Sequence, residues 1–231
     1  MKIQHIFFDL DNTLWDHRRN AYLTLKEIFK KEDLSEKYSL GFEEFHKEYF
    51  TINERLWAQI RDGEITKEYL REHRFYDALV FFGIDDRELA ELFEKNFLDE
   101  ILNYNDLVEG AFEILEYLSE KNYELHILSN GFEEVTYKKC ELSGIKNYFK
   151  TITSADEINV RKPHAEVYKY ALKKAGAKKE ESIMIGDDWI ADIEGAKSFG
   201  LKVVFFDVFN DNFEADEVIV IKKLMELKNI L

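Results

Sequence analysis

The sequence predicts an α/β fold: a doubly wound, mostly parallel sheet that carries an inserted bundle of helices. From residue 107 onwards, short apolar runs alternate with helical segments, which is typical of a parallel sheet with crossover helices. One further apolar run, Ile3 to Phe8, precedes a long stretch of helical patterns with little strand signal. We therefore expect a core domain of residues 1–15 and 104–231, and a helical domain of residues 16–103.

The first apolar run is short, bulky and nearly unbroken, as expected for a strand that is covered on both faces. It stops at two carboxylates, Asp9 and Asp11, which are followed by Asn12 and Thr13. Asp and Asn are also favoured in turns, so this stretch taken by itself is equally well interpreted as a turn. Other polar groups at the same edge of the sheet decide between the two interpretations.

Apolar residues at helical spacing predict the inserted bundle. Thr66 is the expected N-cap of its third helix, and Asp85 or Asp86 that of its fourth. The four predicted helices span residues 20–31, 42–60, 69–80 and 88–97.

The remainder of the chain supplies the other strands and helices of the core domain. The predicted strands span residues 124–128, 151–153, 182–185, 202–206 and 217–220. The predicted helices span residues 110–121, 133–142, 164–175 and 189–199.

Polar motifs follow several of these strands. The strand at 124–128 runs into Ser129-Asn130-Gly131, the weak strand at 151–153 precedes Arg161-Lys162-Pro163, and the strand at 182–185 runs into Gly186-Asp187-Asp188. Each motif alone has an ordinary structural interpretation: the first is more often a plain turn, and a lysine before proline is more often solvated. Because the carboxyl ends of parallel strands share one edge, we expect these groups to converge there with Asp9 and Asp11.

Together these groups suit the chemistry of phosphate esters. A carboxylate attacks phosphorus once a cation screens the two anions, and Mg2+ prefers carboxylate and phosphate oxygens. Asp9 and Asp187 are candidate ligands, and Asp11 is a candidate acid and base for the leaving oxygen and the water. The hydroxyl of Ser129 and the N–H groups near Asn130 and Gly131 would hold phosphoryl oxygens, and Lys162 would balance charge in the transition state.

The motifs resemble those of the haloacid dehalogenase superfamily, and the resemblance covers the whole chain. They stand here as Asp9-Leu10-Asp11-Asn12-Thr13, Ser129-Asn130-Gly131, Arg161-Lys162-Pro163, and Gly186-Asp187-Asp188-Trp189-Ile190-Ala191-Asp192. The resemblance implies a Rossmann-like core with a mobile helical cap, here residues 16–103. It also implies a phosphatase rather than a dehalogenase, since the name-giving dehalogenases lack an acid at the position of Asp11.

The same resemblance assigns roles to the residues. It makes Asp9 the nucleophile and Asp11 the general acid and base, and it places Mg2+ on Asp9, the main-chain carbonyl of Asp11, and Asp187. The resemblance assigns phosphate binding to a further set of residues: Thr13, Ser129, Asn130, Gly131 and Lys162. It gives Asp188 and Asp192 the supporting role of orienting Lys162 or metal-bound water, and leaves open which acid does which.

Within the phosphatases, the chain looks most like the pyrimidine 5′-nucleotidases. The matching segments are Asn53-Glu54-Arg55-Leu56-Trp57, Asp62-Gly63-Glu64-Ile65-Thr66 and Ser129-Asn130-Gly131-Phe132. The implied substrate is a small phosphorylated metabolite, with a nucleoside monophosphate as the first candidate. The alternatives are a phosphatase of phosphoglycolate or a sugar phosphate, a phosphomutase, and a phospho-accepting domain without enzymatic activity.

Composition limits the partners. With 47 acidic and 32 basic residues, the chain has a net charge of −15, which disfavours nucleic acid and anionic membranes. The single cysteine, Cys140, excludes an internal disulfide, and no apolar run reaches membrane-spanning length, so we expect a cytoplasmic protein. The expected state of assembly is a monomer or a homodimer. His5, His46, His73, His126 and His164 show no ligand spacing, and the sequence assigns them no role.

Overall fold

A computed structural model describes residues 2–213 and 215–231. The chain folds into two compact units: one is formed by the segment up to His17 together with the segment from Asn105 onwards, and the other by Arg18–Tyr104. The first unit holds a six-stranded parallel sheet with the strand order β3-β2-β1-β4-β5-β6. This confirms the predicted α/β class.

The strands are short, and the central ones are buried on both faces. Their bounds are β1 His5–Phe8, β2 Glu124–Ser129, β3 Phe149–Ser154, β4 Ser182–Gly186, β5 Lys202–Phe206 and β6 Ile219–Ile221. The strand order reverses between β1 and β4, which places the polar groups that follow these two strands at a topological switch point.

Helices cover the sheet and form the second unit. Their bounds are α1 His17–Lys31, α2 Leu34–Tyr38, α3 Phe42–Arg61, α4 Lys67–Phe81, α5 Arg87–Glu100, α6 Ala111–Glu120, α7 Glu133–Leu142, α8 Ala165–Ala175 and α9 Gly195–Phe199. Short 3-10 helices lie at Ile101–Asn103, Lys146–Tyr148, Ala155–Glu157, Lys179–Glu181 and Leu224–Asn229.

The helices differ from the prediction in two places. The predicted helix over 189–199 is a π-helix over Trp189–Glu194 that continues as α9. The bundle also has one more helix than expected: α2 lies between Asp33 and Ser39, each in the left-handed conformation with φ 54°. Five residues are too few to show a helical period.

The core of the first unit lies on both faces of the sheet. On one face, Phe7, Met184 and Phe205 pack against α8 and the helical segment that ends in α9, through Val167, Tyr168 and Ile193 among others. The second unit packs largely through aromatic rings, with Tyr49 stacked on Phe75 at 4.7 Å between ring centroids. Among the described residues, no helix combines the length and the apolar character that crossing a membrane requires.

Candidate active site

Asp9, Lys162 and Asp192 form the buried centre of the site. Asp9 directly follows β1, and its main-chain N–H donates to the carbonyl of Ile185 in β4 at 2.9 Å, which anchors it at the sheet edge. The Nζ atom of Lys162 donates to Asp9 Oδ1 and to Asp192 Oδ1, each at 2.6 Å, and to the carbonyl of Leu128 at 2.8 Å. All three ammonium hydrogens therefore have acceptors, in a side chain that is 1% exposed.

Asp187 completes a cluster of carboxylates. Ligand oxygens of Asp9, Asp187 and Asp192 all lie within 4.8 Å of one another. The hydroxyl of Thr13 donates to Asp187 Oδ1 at 2.7 Å, so Thr13 orients this carboxylate.

Burial and crowding raise the pKa values of this cluster. Burial raises the pKa of Asp9 to about 8, against the opposing effect of Lys162 and with a contribution from Asp192. Burial also raises the pKa of Asp187 well above its usual range, and the charges of Asp9 and Asp192 add to this. Three carboxylates facing one ammonium form a site that favours a cation, and their oxygens are the ligands that Mg2+ prefers. The donor set therefore fits the magnesium ion that the sequence motifs imply.

Asp11 lies in a different environment. Lys139 in α7 donates to Asp11 Oδ1 at 2.6 Å, and Nδ1 of His17 lies 3.9 Å from the same oxygen. Burial alone would raise the pKa of Asp11, but Lys139 and His17 outweigh it, so the pKa of Asp11 lies below its usual range. The two acids of the first motif thus have pKa values shifted in opposite directions.

The motif after β2 holds the main chain of Lys162. Asn130 accepts from the N–H of Lys162 at 2.8 Å and donates to its carbonyl at 3.0 Å, so its side-chain amide binds protein rather than pointing freely outwards. Ser129 is buried and accepts from the N–H of Gly131 at 3.0 Å. A Cβ atom on Gly131 would lie 3.1 Å from Ser129 Oγ and 3.4 Å from Asp11 Oδ2, which places this turn against Asp11.

The structure separates the two acids of the fourth motif whose roles the sequence left open. Asp188 caps the π-helix, since its Oδ1 accepts from the N–H groups of Ile190 and Ala191 at 2.9 Å. Asp192 binds Lys162 and also accepts from the N–H of Asp188 at 3.0 Å. Asp192 is therefore the one that lies in the carboxylate cluster.

Lys139 is a site residue that lies outside the four sequence motifs. Its side chain is 4% exposed, and its ammonium lies 4.3 Å from the ring centroid of Trp15, between that ring and Asp11. A signal was present, because Lys139 falls on the buried face of α7 with Val135, Thr136 and Cys140. A lysine on such a face is rarely buried unless it is paired.

The parallel sheet and the carboxylate cluster at its strand ends define a hydrolase of the α/β fold class. Residues 6–206 match the model of the haloacid dehalogenase-like hydrolases, and the chain belongs to this family. Relatives named as nucleotidases and phosphatases agree with the predicted enzyme class, a phosphatase of this superfamily.

Three relatives resemble the chain over most of its length. The putative HAD-hydrolase YfnB of Bacillus subtilis is 28% identical over 98% of this chain and 94% of that protein. The pyrimidine 5′-nucleotidase YjjG of Escherichia coli is 30% identical over 87% of this chain and 84% of its own. The pyrimidine 5′-nucleotidase PynA of Streptococcus pneumoniae is 26% identical over 90% of this chain and 85% of that protein.

A crystal structure of YfnB bound to magnesium superimposes with a TM-score of 0.89 and covers 100% of this chain and 99% of that one, at 26% identity. Other relatives are named glyceraldehyde 3-phosphate phosphatase, from Pyrococcus furiosus, and phosphoglycolate phosphatase, from Aquifex aeolicus. The relatives thus span several substrates within one class of reaction.

Proposed function

We propose that the protein is a Mg2+-dependent phosphomonoesterase that acts through an aspartyl-phosphate on Asp9, with pyrimidine nucleoside monophosphates as substrates. The observation that carries the proposal is the cluster of Asp9, Asp187 and Asp192, in which Asp9 and Asp192 both bind the buried ammonium of Lys162. Side chains this distant in sequence are brought within bonding distance at one sheet edge, where ligands of such sheets bind.

Asp9, the main-chain carbonyl of Asp11, and Asp187 would hold the magnesium ion. When bound, it would screen the repulsion between the Asp9 carboxylate and the phosphate and would lower the pKa of Asp9. Lys162 fixes the rotamer of Asp9 through its 2.6 Å hydrogen bond, while Asp192 fixes Lys162 from the other side. The free oxygen of Asp9 then attacks phosphorus, and the ester oxygen leaves.

Asp11 is the proposed proton carrier in both halves of the reaction. The dianionic phosphate of a bound substrate opposes a second negative charge and so raises the pKa of Asp11, which favours proton donation to the leaving oxygen. After the alcohol departs, the ammonium of Lys139 at 2.6 Å favours the carboxylate, which then accepts a proton from the attacking water.

The proposed nucleotide substrate rests on the two nucleotidases among the relatives and on the sequence segments shared with that branch. We propose residues 16–103 as the domain that selects the substrate. The relatives that act on triose phosphate and phosphoglycolate favour a second candidate, a phosphatase of small non-nucleotide metabolites. Both candidates use the same core chemistry.

A phosphate-release screen over nucleoside monophosphates, sugar phosphates and phosphoglycolate tests the proposal. We expect UMP, dUMP or dTMP to give the highest kcat/KM, and chelation of divalent ions to abolish release. Sugar phosphates that outrank every nucleotide would favour the second candidate, and undiminished release in the presence of a chelator would contradict the metal-dependent mechanism.

A further inference from the structure

Two histidines and a glutamate meet at the edge of the sheet opposite to the carboxylate cluster. His5 is the first residue of β1 and lies in register with Glu124, the first residue of β2. His126 lies two residues further along β2, so it shares a sheet face with Glu124. Asp9 follows at the other end of β1, four residues on and therefore about 13 Å away along the strand.

The ligand atoms of these three residues have the spacing of a metal site. Nδ1 of His5 lies 3.2 Å from Nε2 of His126 and 3.4 Å from Oε2 of Glu124, and each residue offers an atom within 4.8 Å of the others. In a tetrahedral zinc site with bonds of about 2.0–2.1 Å, the ligand atoms are about 3.3 Å apart. Both distances from His5 thus match the edges of such a tetrahedron.

The surroundings hold His126 in a suitable orientation. Its Nδ1 lies 2.9 Å from the hydroxyl oxygen of Thr151, and its ring stacks on Phe7 with 4.6 Å between centroids. The tautomer with its proton on Nδ1 donates to Thr151 and leaves the lone pair of Nε2 directed at His5. Outer hydrogen bonds of this kind orient metal-binding imidazoles in proteins.

We propose that His5, Glu124 and His126 form a second metal site, which takes a divalent transition ion of the zinc type. Two imidazoles and one carboxylate are ligands that suit Zn2+, Co2+ and Ni2+, whereas the all-oxygen cluster around Asp9 suits Mg2+. The ion would connect the first residues of β1 and β2, and water would occupy the remaining coordination position.

Lys150 competes for this site. Its ammonium lies 2.6 Å from Oε2 of Glu124, and its side chain is 57% exposed. Metal binding displaces this ammonium into solvent, where an exposed lysine loses little because surface ion pairs are weak. Removal of the Lys150 charge should therefore strengthen metal binding, although it breaks an ion pair of the metal-free protein.

Titration of the full-length protein with Co2+, in the presence of excess Mg2+, tests the proposal. Tetrahedral Co2+ with nitrogen ligands absorbs visible light strongly, whereas octahedral Co2+ with oxygen ligands absorbs weakly, so the spectrum distinguishes the two sites. We expect the wild type to give the strong bands, and His5→Gln and Glu124→Gln each to weaken Co2+ binding at least tenfold. Lys150→Gln should tighten it.

His164→Gln is the matched control, because His164 is an exposed histidine at the start of α8. It should bind Co2+ as the wild type does. Circular dichroism establishes whether each variant is folded. If either His5→Gln or Glu124→Gln does not fold, the other still tests the site. Absence of the strong bands from the wild type, or equal affinity in the wild type and a folded His5→Gln or Glu124→Gln variant, would overturn the proposal.

Discussion

Gly186 gives Asp192 the room it needs beside Lys162. A Cβ atom at residue 186 would lie 2.1 Å from Asp192 Oδ2, far inside the 3.0 Å within which Cβ atoms essentially never have an unbonded neighbour. The same carboxylate holds the N–H of Asp188 and the ammonium of Lys162. A methyl group at this position therefore has to displace the carboxylate that fixes Lys162.

We expect Gly186→Ala to lower the free energy of unfolding by about 2–3 kcal/mol, as overpacking does, and to lower kcat as well. Gly41→Ala is the control, because its Cβ would meet Glu44 at an ordinary 3.8 Å. Chemical denaturation and phosphate release measure the two effects. Wild-type stability in Gly186→Ala would show that Asp192 moves aside at little cost.

The buried ring of His126 makes stability depend on pH. Burial and the neighbouring His5 lower the pKa of His126 from 6.5 to about 4, while Glu124 opposes this shift and Lys150 adds to it. The unfolded chain thus takes up a proton at a pH where the folded protein does not. The contribution of His126 to the free energy of unfolding is fully present above about pH 6.5 and is lost as the pH falls towards about 4.

Because of this shift in the pKa of His126, the free energy of unfolding falls by about 3 kcal/mol across that pH range. We expect His126→Gln in metal-free protein to be less stable at neutral pH, yet to lose less stability between pH 6.5 and 4 than the wild type loses. Denaturant titrations at several pH values measure how the free energy of unfolding of the wild type and of the variant changes with pH. Equal slopes would show that His126 titrates normally in the folded state.

At the scale of elements, the strands were largely predictable and the pairings between distant elements were not. The strand over 202–206 and the helix over 133–142 have the predicted bounds, because the strand is an apolar run and the helix is followed by Gly144 with φ 80°. Thr66 and Asp86 cap α4 and α5 through hydrogen bonds to the N–H groups of Tyr69 and Leu89. The partnership of Lys139 with Asp11 depends on how α7 packs, which no local period encodes.

The contact of α4 with α5 includes a buried ion pair. Arg74, 4% exposed, donates to both carboxylate oxygens of Glu94 at 2.6 and 3.0 Å, and its guanidinium lies 5.0 Å from the ring centroid of Phe97. Arg55 and Asp77 form a comparable pair between α3 and α4 at 3.4 Å, with the Arg55 side chain 60% exposed. The two pairs differ in burial and in the number and length of their hydrogen bonds.

We expect Arg74→Met to cost about 3–5 kcal/mol of unfolding free energy, because it leaves the Glu94 carboxylate buried with less compensation. Arg55→Met should cost no more than about 1 kcal/mol. Thermal and denaturant unfolding of both variants provides the comparison. Similar losses in the two variants would mean that Arg71, which donates to Glu94 at 3.1 Å, compensates for Arg74.

At the scale of the whole molecule, the sheet assembles the candidate site from motifs that span the chain from Asp9 to Asp192. The sequence predicted which residues converge, since parallel strands bring their carboxyl ends to one edge. It could not predict which of Asp188 and Asp192 meets Lys162, because an unusual π-helical turn decides that. The pairing of His5 with His126 was also hidden, because it depends on the register of β1 against β2, which no local pattern encodes.

In the proposed mechanism, Asp9 carries the phosphoryl group between substrate and water. Mass spectrometry of enzyme quenched in acid during turnover, followed by proteolysis, tests it most directly. We expect the peptide with Asp9 to carry one phosphoryl group in the wild type, and the folded Asp9→Asn variant to carry none and to release no phosphate. Turnover at the wild-type rate by Asp9→Asn, or a phosphoryl group trapped on another side chain, would contradict the claim.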